Sequence, residues 1–308
     1  MQLLRTLDNL PDALRGGAVA IGNFDGVHRG HAWIVERLLA MAEQVGGPAV
    51  VLTFDPHPVR LLRPDEAPPP LTWTERKAEL LVELGVDSMI AYPTDETLLS
   101  LTAEEFFSQI VGERLQARAL VEGPNFHFGR DRSGDVETLR QLCTASDVLL
   151  EVVEPIEIDS EYISSSRVRT LIAEGDVATA GAMLTRPYRI RGLVTHGAKR
   201  GAKLGFPTAN VEAIDTLLPA LGVYAGRASV HGEQYAAAIN LGPNPTFGEH
   251  ATKVEVHLIG YTGQLYGDVF EVDFLARLRD IHPFDTVEQL QQQLKKDVAE
   301  AVSANVEF

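Results

Sequence analysis

The sequence predicts two domains in series: an α/β domain on a doubly wound parallel sheet over residues 1–185, then an antiparallel β-barrel with a terminal helix over residues 186–308. Three observations predict it. Short apolar runs alternate with amphipathic stretches of helical spacing in the first part, the rhythm of a parallel sheet with helices on both faces. After Pro187 the stretches become strand-like, alternate apolar with polar positions, and are punctuated by Gly and Pro. At 308 residues the chain also exceeds the usual size of one domain.

In chain order, AVAIG (18–22), AVVLTF (49–54), VDSMIAY (86–92), ARALVEG (117–123) and DVLLEVV (147–153) read as buried strands. HAWIVERLLAMAEQVG, TERKAELLVELG, AEEFFSQIVGERL and DVETLRQLCTAS read as the helices between them. Ligands of such a sheet lie at the C-terminal ends of its strands. The segment GDVATAGAMLTRPYR (175–189) carries the junction. Beyond it, YRIRGLVTHG, GVYAGRASVHG, EQYAAAINLG, TKVEVHLIG and DVFEVDFLARL are the barrel strands. The final stretch DTVEQLQQQLKKDVAEAVSA is a helix, for which Asp285 is the expected cap with Glu288 three residues on.

Composition excludes several classes of partner. With 43 acidic against 27 basic side chains the formal charge is −16, which repels a nucleic-acid backbone. Cys143 is the single cysteine, so no internal disulfide forms and nothing points to an oxidising compartment; its plain reading is a small buried hydrophobe. The N-terminal stretch is interrupted by Arg5, Asp8, Asp12 and Arg15, and no run reaches the length that spans a bilayer. The expectation is a cytoplasmic protein with no membrane or nucleic-acid partner; a homo-oligomer is compatible with the sequence.

The stretch GNFDGVHRGHAWI (22–34) places a glycine-rich turn between a strand and a helix start. Such a turn offers free backbone N–H groups and a positive dipole end to an anion, so Gly22, Asn23, Phe24, Asp25 and Gly26 form a candidate phosphate cradle. The glycines fit neither Gly-x-x-x-x-Gly-Lys-Ser/Thr nor Gly-x-Gly-x-x-Gly, so positive charge has to come from elsewhere. His28 and His31 can supply it: imidazoles beside phosphate oxygens donate hydrogen bonds and are driven towards the protonated form. Two ordinary surface histidines are the plain alternative; a zinc site would need a third ligand, and none stands nearby in sequence. In ISSSRVR (163–169), Ser164 and Ser165 offer hydroxyls at a helix start, and Arg167 and Arg169 add charge; a simple serine N-cap is the alternative.

These residues carry a resemblance. His-x-Gly-His after a buried strand resembles the nucleotidylyltransferase signature, and GNFDGVHRGH resembles the adenylyltransferase module of bacterial FAD synthetases. TFDPHP (53–58) and GPNFHFGRDRSGD (123–135) fit the same module. The resemblance implies that Asn125 lies in the segment holding flavin and nucleotide, and that ISSSRVR grips the triphosphate and the leaving pyrophosphate. In the second part, HGAKRGAKLGFPTAN (196–210) resembles riboflavin kinase, whose signature is a basic, glycine-rich loop before Pro-Thr-Ala-Asn. Lys199, Arg200, Lys203 and Gly205 would then cover phosphates, and Thr208 and Asn210 are hard oxygen donors suited to Mg²⁺ on ATP. Glu255 stands where that family carries its catalytic carboxylate; on an alternating strand alone it would read as a solvated outer-face residue. Arg279 and Phe284 would frame the flavin ring or pack the final helix.

Four positions depart from the family pattern: Ser166 stands for Thr, Ala202 for a basic residue that Lys203 compensates, and Gly260–Tyr261 for Asp-Phe. The implied activity is bifunctional. The barrel phosphorylates riboflavin with Mg-ATP to FMN, and the α/β domain transfers AMP from ATP to FMN, giving FAD and pyrophosphate. The rivals are a chain with only one of these activities and a non-catalytic flavin-binding regulator. Joint retention of His28, His31, Thr208, Asn210 and Glu255 argues for turnover.

Overall fold

The computed structural model of the chain describes residues 2–158, 161–197, 200–244, 246 and 249–306. The first part begins with β1 (Gln2–Leu4), β2 (Ala18–Ile21), α1 (Arg29–Val45), β3 (Ala49–Asp55), α2 (Val59–Leu62), α3 (Thr74–Glu83) and β4 (Ser88–Pro93). It continues with α4 (Glu96–Ser100), α5 (Ala103–Phe106), β5 (Ala119–Glu122), α6 (Val136–Ala145), β6 (Leu149–Val152) and a small hairpin of β7 (Glu157–Ile158) and β8 (Glu161–Tyr162). Six strands form one sheet in the order β1-β4-β3-β2-β5-β6, every neighbouring pair parallel.

The strand period of two sorts side chains onto two cores. Ala18, Ala20, Val51, Met89 and Val121 meet Val35 and Leu38 of α1 in one cluster, while Val19, Ile21, Val50, Leu52 and Leu120 meet Phe106, Ile110 and Leu139 in the other. Both faces are thus covered, as the near-continuous apolar strands predict. The chain runs from β2 outward through β3 and β4, then returns to β5 on the other side of β2, so the order reverses between β2 and β5. The carboxyl ends of those two strands are where such sheets take their ligands. Two details differ from expectation. The three-residue edge strand β1 is too short to show a period. The helix starting at Ala103 continues from Phe107 to Arg114 as a π-helix.

The second part contains α7 (Ser165–Glu174), α8 (Val177–Leu184), β9 (Tyr188–Thr195), the single turn α9 (Arg200–Lys203), β10 (Ala209–Glu212), β11 (Gly222–Val230), β12 (Glu233–Asn244), β13 (Glu249–Leu258), β14 (Val269–Arg279) and α10 (Val287–Val306). Its strands close into an antiparallel barrel in the order β10-β13-β12-β11-β14-β9, with β10 also pairing β9. Helix α10 packs on β11, β12 and β14. By packing, the chain divides between Ser164 and Ser165, and residues 69–72 also go with the second unit. The expected break at 185/186 falls after α7 and α8, two helices that lie with the barrel, α8 against β9 and β14. The cap of α10 is a correction: Thr286, not Asp285, holds it, its Oγ1 accepting from Gln289 N–H at 3.2 Å. Gln289 Oε1 in turn accepts from Asp285 N–H at 3.2 Å.

Candidate active sites

In the first unit the turn after β2 leads into α1, whose N-cap is His28. His28 Nδ1 accepts a hydrogen bond from His31 N–H at 3.3 Å. With Nδ1 accepting, the donor of the ring is its Nε2–H. The two imidazoles stack, with centroids 3.7 Å apart and planes 16° from parallel. The spacing His-x-Gly-His has a local cause: a methyl group on Gly30 would lie 3.1 Å from the His28 ring. Phe24 packs against His31 at 4.9 Å between centroids. Asp25 is buried in the same turn, and Asn23 Oδ1 is buried without a hydrogen-bond partner among the described residues, an acceptor left for a ligand.

Three further residues touch this turn: Thr53, which opens TFDPHP, and Lys77 and Glu122, which lie outside the motifs of the sequence. Lys77 on α3 donates from Nζ to the Asn23 carbonyl at 2.6 Å, and Thr53 Oγ1 donates to the same oxygen at 3.2 Å. Glu122 ends β5 and accepts Ile21 N–H at 2.7 Å, at the root of the turn. The β2–β5 ladder stops at Val19 opposite Leu120, so this carboxyl supplies the acceptor where the strands part. Burial pushes the Glu122 carboxyl well above the usual carboxylate range. Burial, and then the nearby Glu122, push the Cys143 thiol up to about 11. That agrees with an inert buried cysteine.

Asn125 is exposed in the loop after β5, which is shaped by a Phe126 N–H to Gly123 O turn and by Phe128 paired with Gly134. Phe126 and Phe128 stack at 5.4 Å, and Asp135 caps α6 through Thr138 N–H at 2.8 Å. Ser164 ends the first unit; Ser165, Arg167 and Arg169 lie on α7 in the second. Arg169 Nε donates to the Pro69 carbonyl at 3.1 Å within that second unit.

In the second unit a cavity of about 140 Å³ opens beside the barrel, lined among others by Arg200, Phe206, Thr208, Asn210, Asn240 and Glu255. Register builds it. Asn210 of β10 lies directly opposite Glu255 of β13, which lies directly opposite Asn240 of β12. Three polar side chains therefore stand in one row on one face of adjacent strands. Asn244 Nδ2 donates to Glu255 Oε2 at 3.0 Å, orienting the carboxylate. His257, two residues along the same strand face, donates from Nδ1 to the Pro207 carbonyl at 2.7 Å and so fixes the entry of Pro-Thr-Ala-Asn. Its i+2 spacing from Glu255 is the signal that would have found it. Gly197 allows the loop to approach, since a methyl group there would collide with the Asn210 amide at 2.1 Å.

Lys203 and Gly205 are exposed, and Lys199 lies outside the described residues. Arg279 and Phe284 both line the cavity, with the guanidinium carbon 5.8 Å from the ring centroid. The Arg279 fork is committed, however: Nε and Nη2 bind both oxygens of Asp297 on α10 at 2.9 and 2.8 Å. Arg279 thus braces the cavity wall.

The FAD synthetase family model matches residues 10–167, and the riboflavin kinase family model matches residues 184–304. Among curated relatives, the bifunctional riboflavin kinase/FMN adenylyltransferase of Pseudomonas fluorescens is 37% identical over 302 residues, covering 98% of this chain and 97% of the relative. That of Bacillus subtilis is 35% identical over 296 residues, covering 92% and 91%. A solved structure described as a macrolide-efflux protein from Streptococcus pneumoniae superposes with a TM-score of 0.85 at 31% identity, covering 96% of each chain. That likeness extends the shared fold along nearly the whole chain. Among the described residues no helix is long and apolar enough to cross a membrane.

Proposed function

This chain belongs to the family of bifunctional riboflavin kinases/FMN adenylyltransferases, and we propose that it carries out both reactions. In the barrel unit, riboflavin is phosphorylated by ATP to FMN. Glu255 takes the proton of the ribityl 5′-hydroxyl as that oxygen attacks the γ-phosphorus; Asn244 holds the carboxylate in position. Arg200 at the cavity rim supplies charge to the phosphates.

Thr208 and Asn210 would hold Mg²⁺, which when bound neutralises charge on the nucleotide phosphates. The donor set fits: both side chains offer hard oxygens to the cavity, and Thr195 Oγ1, opposite Asn210 in register, is buried without a hydrogen-bond partner among the described residues.

In the parallel-sheet unit, AMP passes from ATP to FMN with release of pyrophosphate. The turn N–H groups and the Nε2–H of His28 bind the phosphates, and charge growing on them in the transition state is met by preorganised donors. No protein nucleophile is needed in direct transfer. Asn125 is the proposed flavin contact of this unit and Phe284 that of the barrel cavity, and Ser164, Ser165, Arg167 and Arg169 are the proposed contacts to the triphosphate. The cytoplasm is the proposed location.

The observation that carries this reading is that each family signature lies at a built site of its own: stacked histidines at a helix start in one unit, and a polar row walling a cavity in the other. The test is incubation of the purified chain with riboflavin, ATP and Mg²⁺, followed by chromatography. FMN should form first and FAD with pyrophosphate after it. FMN without FAD would leave one activity, and flavin binding with neither product would leave a binding protein.

A further inference from the structure

Lys77 is 8% exposed, unusual for a lysine, whose ammonium rarely leaves water without a specific task. It stands on α3, outside every motif of the sequence, yet its Nζ lies 2.6 Å from the Asn23 carbonyl oxygen and 3.5 Å from Thr53 Oγ1. Thr53, itself buried, donates to that same carbonyl at 3.2 Å. Two donors, one of them charged, therefore converge on a single backbone oxygen of the turn that follows β2. Hydrogen bonds from a charged donor are the stronger kind.

The direction of that pull matters. The peptide joining Asn23 to Phe24 is trans, so its N–H points away from its C=O. With the carbonyl drawn towards Lys77, the Phe24 N–H is turned to the opposite side. Phe24 itself has φ 45°, a left-handed conformation that a residue with a bulky ring adopts only when its surroundings impose it, and Gly26 and Val27 follow at φ 84° and 41°. The Val27 N–H closes the turn on the Phe24 carbonyl at 3.2 Å, and positive φ angles interleaved along such a turn are the backbone pattern of an anion-binding concavity. The Lys77 ammonium lies against this turn at the Asn23 carbonyl.

We propose that Lys77 is a positioning residue for adenylyl transfer: with Thr53 it fixes the Asn23–Phe24 peptide so that the Phe24 N–H faces the nucleotide phosphates, and its buried charge strengthens that hold on the transition state. The inference rests on the reading that this unit transfers AMP.

The full-length chain and its Lys77→Met, Lys77→Arg and Thr53→Val variants are assayed for FAD formation from FMN and ATP, with FMN formation from riboflavin and thermal unfolding followed on the same preparations. Lys77→Met should lose on the order of 10²-fold in kcat for FAD formation, with KM for FMN within about threefold of the parent, because the missing interaction acts mainly in the transition state. Lys77→Arg should recover part of that loss, Thr53→Val should lose roughly tenfold, and FMN formation should be unchanged in all three. If Lys77→Met does not fold, the Thr53→Val loss in kcat decides. A folded Lys77→Met variant with FAD formation within about twofold of the parent would overturn the proposal, as would losses that merely track melting temperature. A parent chain that makes no FAD would instead overturn the assigned activity and this inference with it.

Discussion

A carboxyl group buried at the end of a central strand and held by one backbone N–H is a balanced arrangement. Glu122 is 4% exposed and accepts Ile21 N–H where β2 and β5 part. Its folded-state pKa is raised, so between the unfolded value of about 4.3 and that higher value the folded chain keeps a proton that the unfolded chain has lost. Stability contributed by this residue is therefore present at low pH and lost as pH rises through that window. Glu122→Gln keeps an oxygen for Ile21 and has no proton to lose. Its stability relative to the parent should climb as pH rises above about 4.3 in denaturant unfolding, and a difference independent of pH would refute this account. Glu122 was hidden in the sequence because ARALVEG reads as an apolar strand with a polar end. His28 and His31 were legible because they, Gly30 and the turn lie within one short stretch whose reasons are local. Thr53 and Lys77 reach the same turn from a neighbouring strand and a crossover helix, and such contacts exist only once the sheet has formed.

At the scale of elements, α10 depends on one buried ion pair. Asp297 is 1% exposed, it grips the Arg279 fork, and Gln293 Nε2 adds a bond to the same carboxylate at 2.9 Å. Removing one partner strands the other charge away from water, at a cost of about 3–5 kcal/mol. Asp297→Ala should therefore lower the thermal midpoint of the barrel unit and reduce FMN formation, because Arg279 and residues 290, 294 and 298 of α10 line the cavity. Pairing Arg279→Met with Asp297→Leu should restore much of the stability. A single variant within about 0.5 kcal/mol of the parent would show that the pair braces nothing. The readable elements were five strands of the sheet (β2 to β6), the long helices and five of the six barrel strands. Those that were not are short or ambiguous. β1 and β10 span three and four residues. Asp285…Glu288 and Thr286…Gln289 both have capping-box spacing, and the backbone uses the later pair.

Across the whole molecule, the formal charge of −16 sets the terms on which anionic FMN and ATP are received: affinity has to come from local donors, not from the overall field. Those donors fall into two sets, one around residues 22–31 with Thr53 and Lys77, the other around residues 200–257 of the barrel. If each set performs its own step, the two can be disabled one at a time. His28→Ala should keep FMN formation and lose FAD formation by about 10²–10³-fold, and Asn210→Ala should do the reverse, by analogy with loss of one transition-state donor. An equimolar mixture of the two variants then tests the molecule as a whole. FMN released by the first can enter the intact adenylyl-transfer site of the second, so riboflavin should again be converted to FAD, with a lag set by the FMN concentration in solution. Chromatography of time points resolves that lag. If each variant kept its own partial reaction but the mixture made no FAD, FMN would have to pass between sites within one molecule, and the picture of two independent sites exchanging a free intermediate would fail.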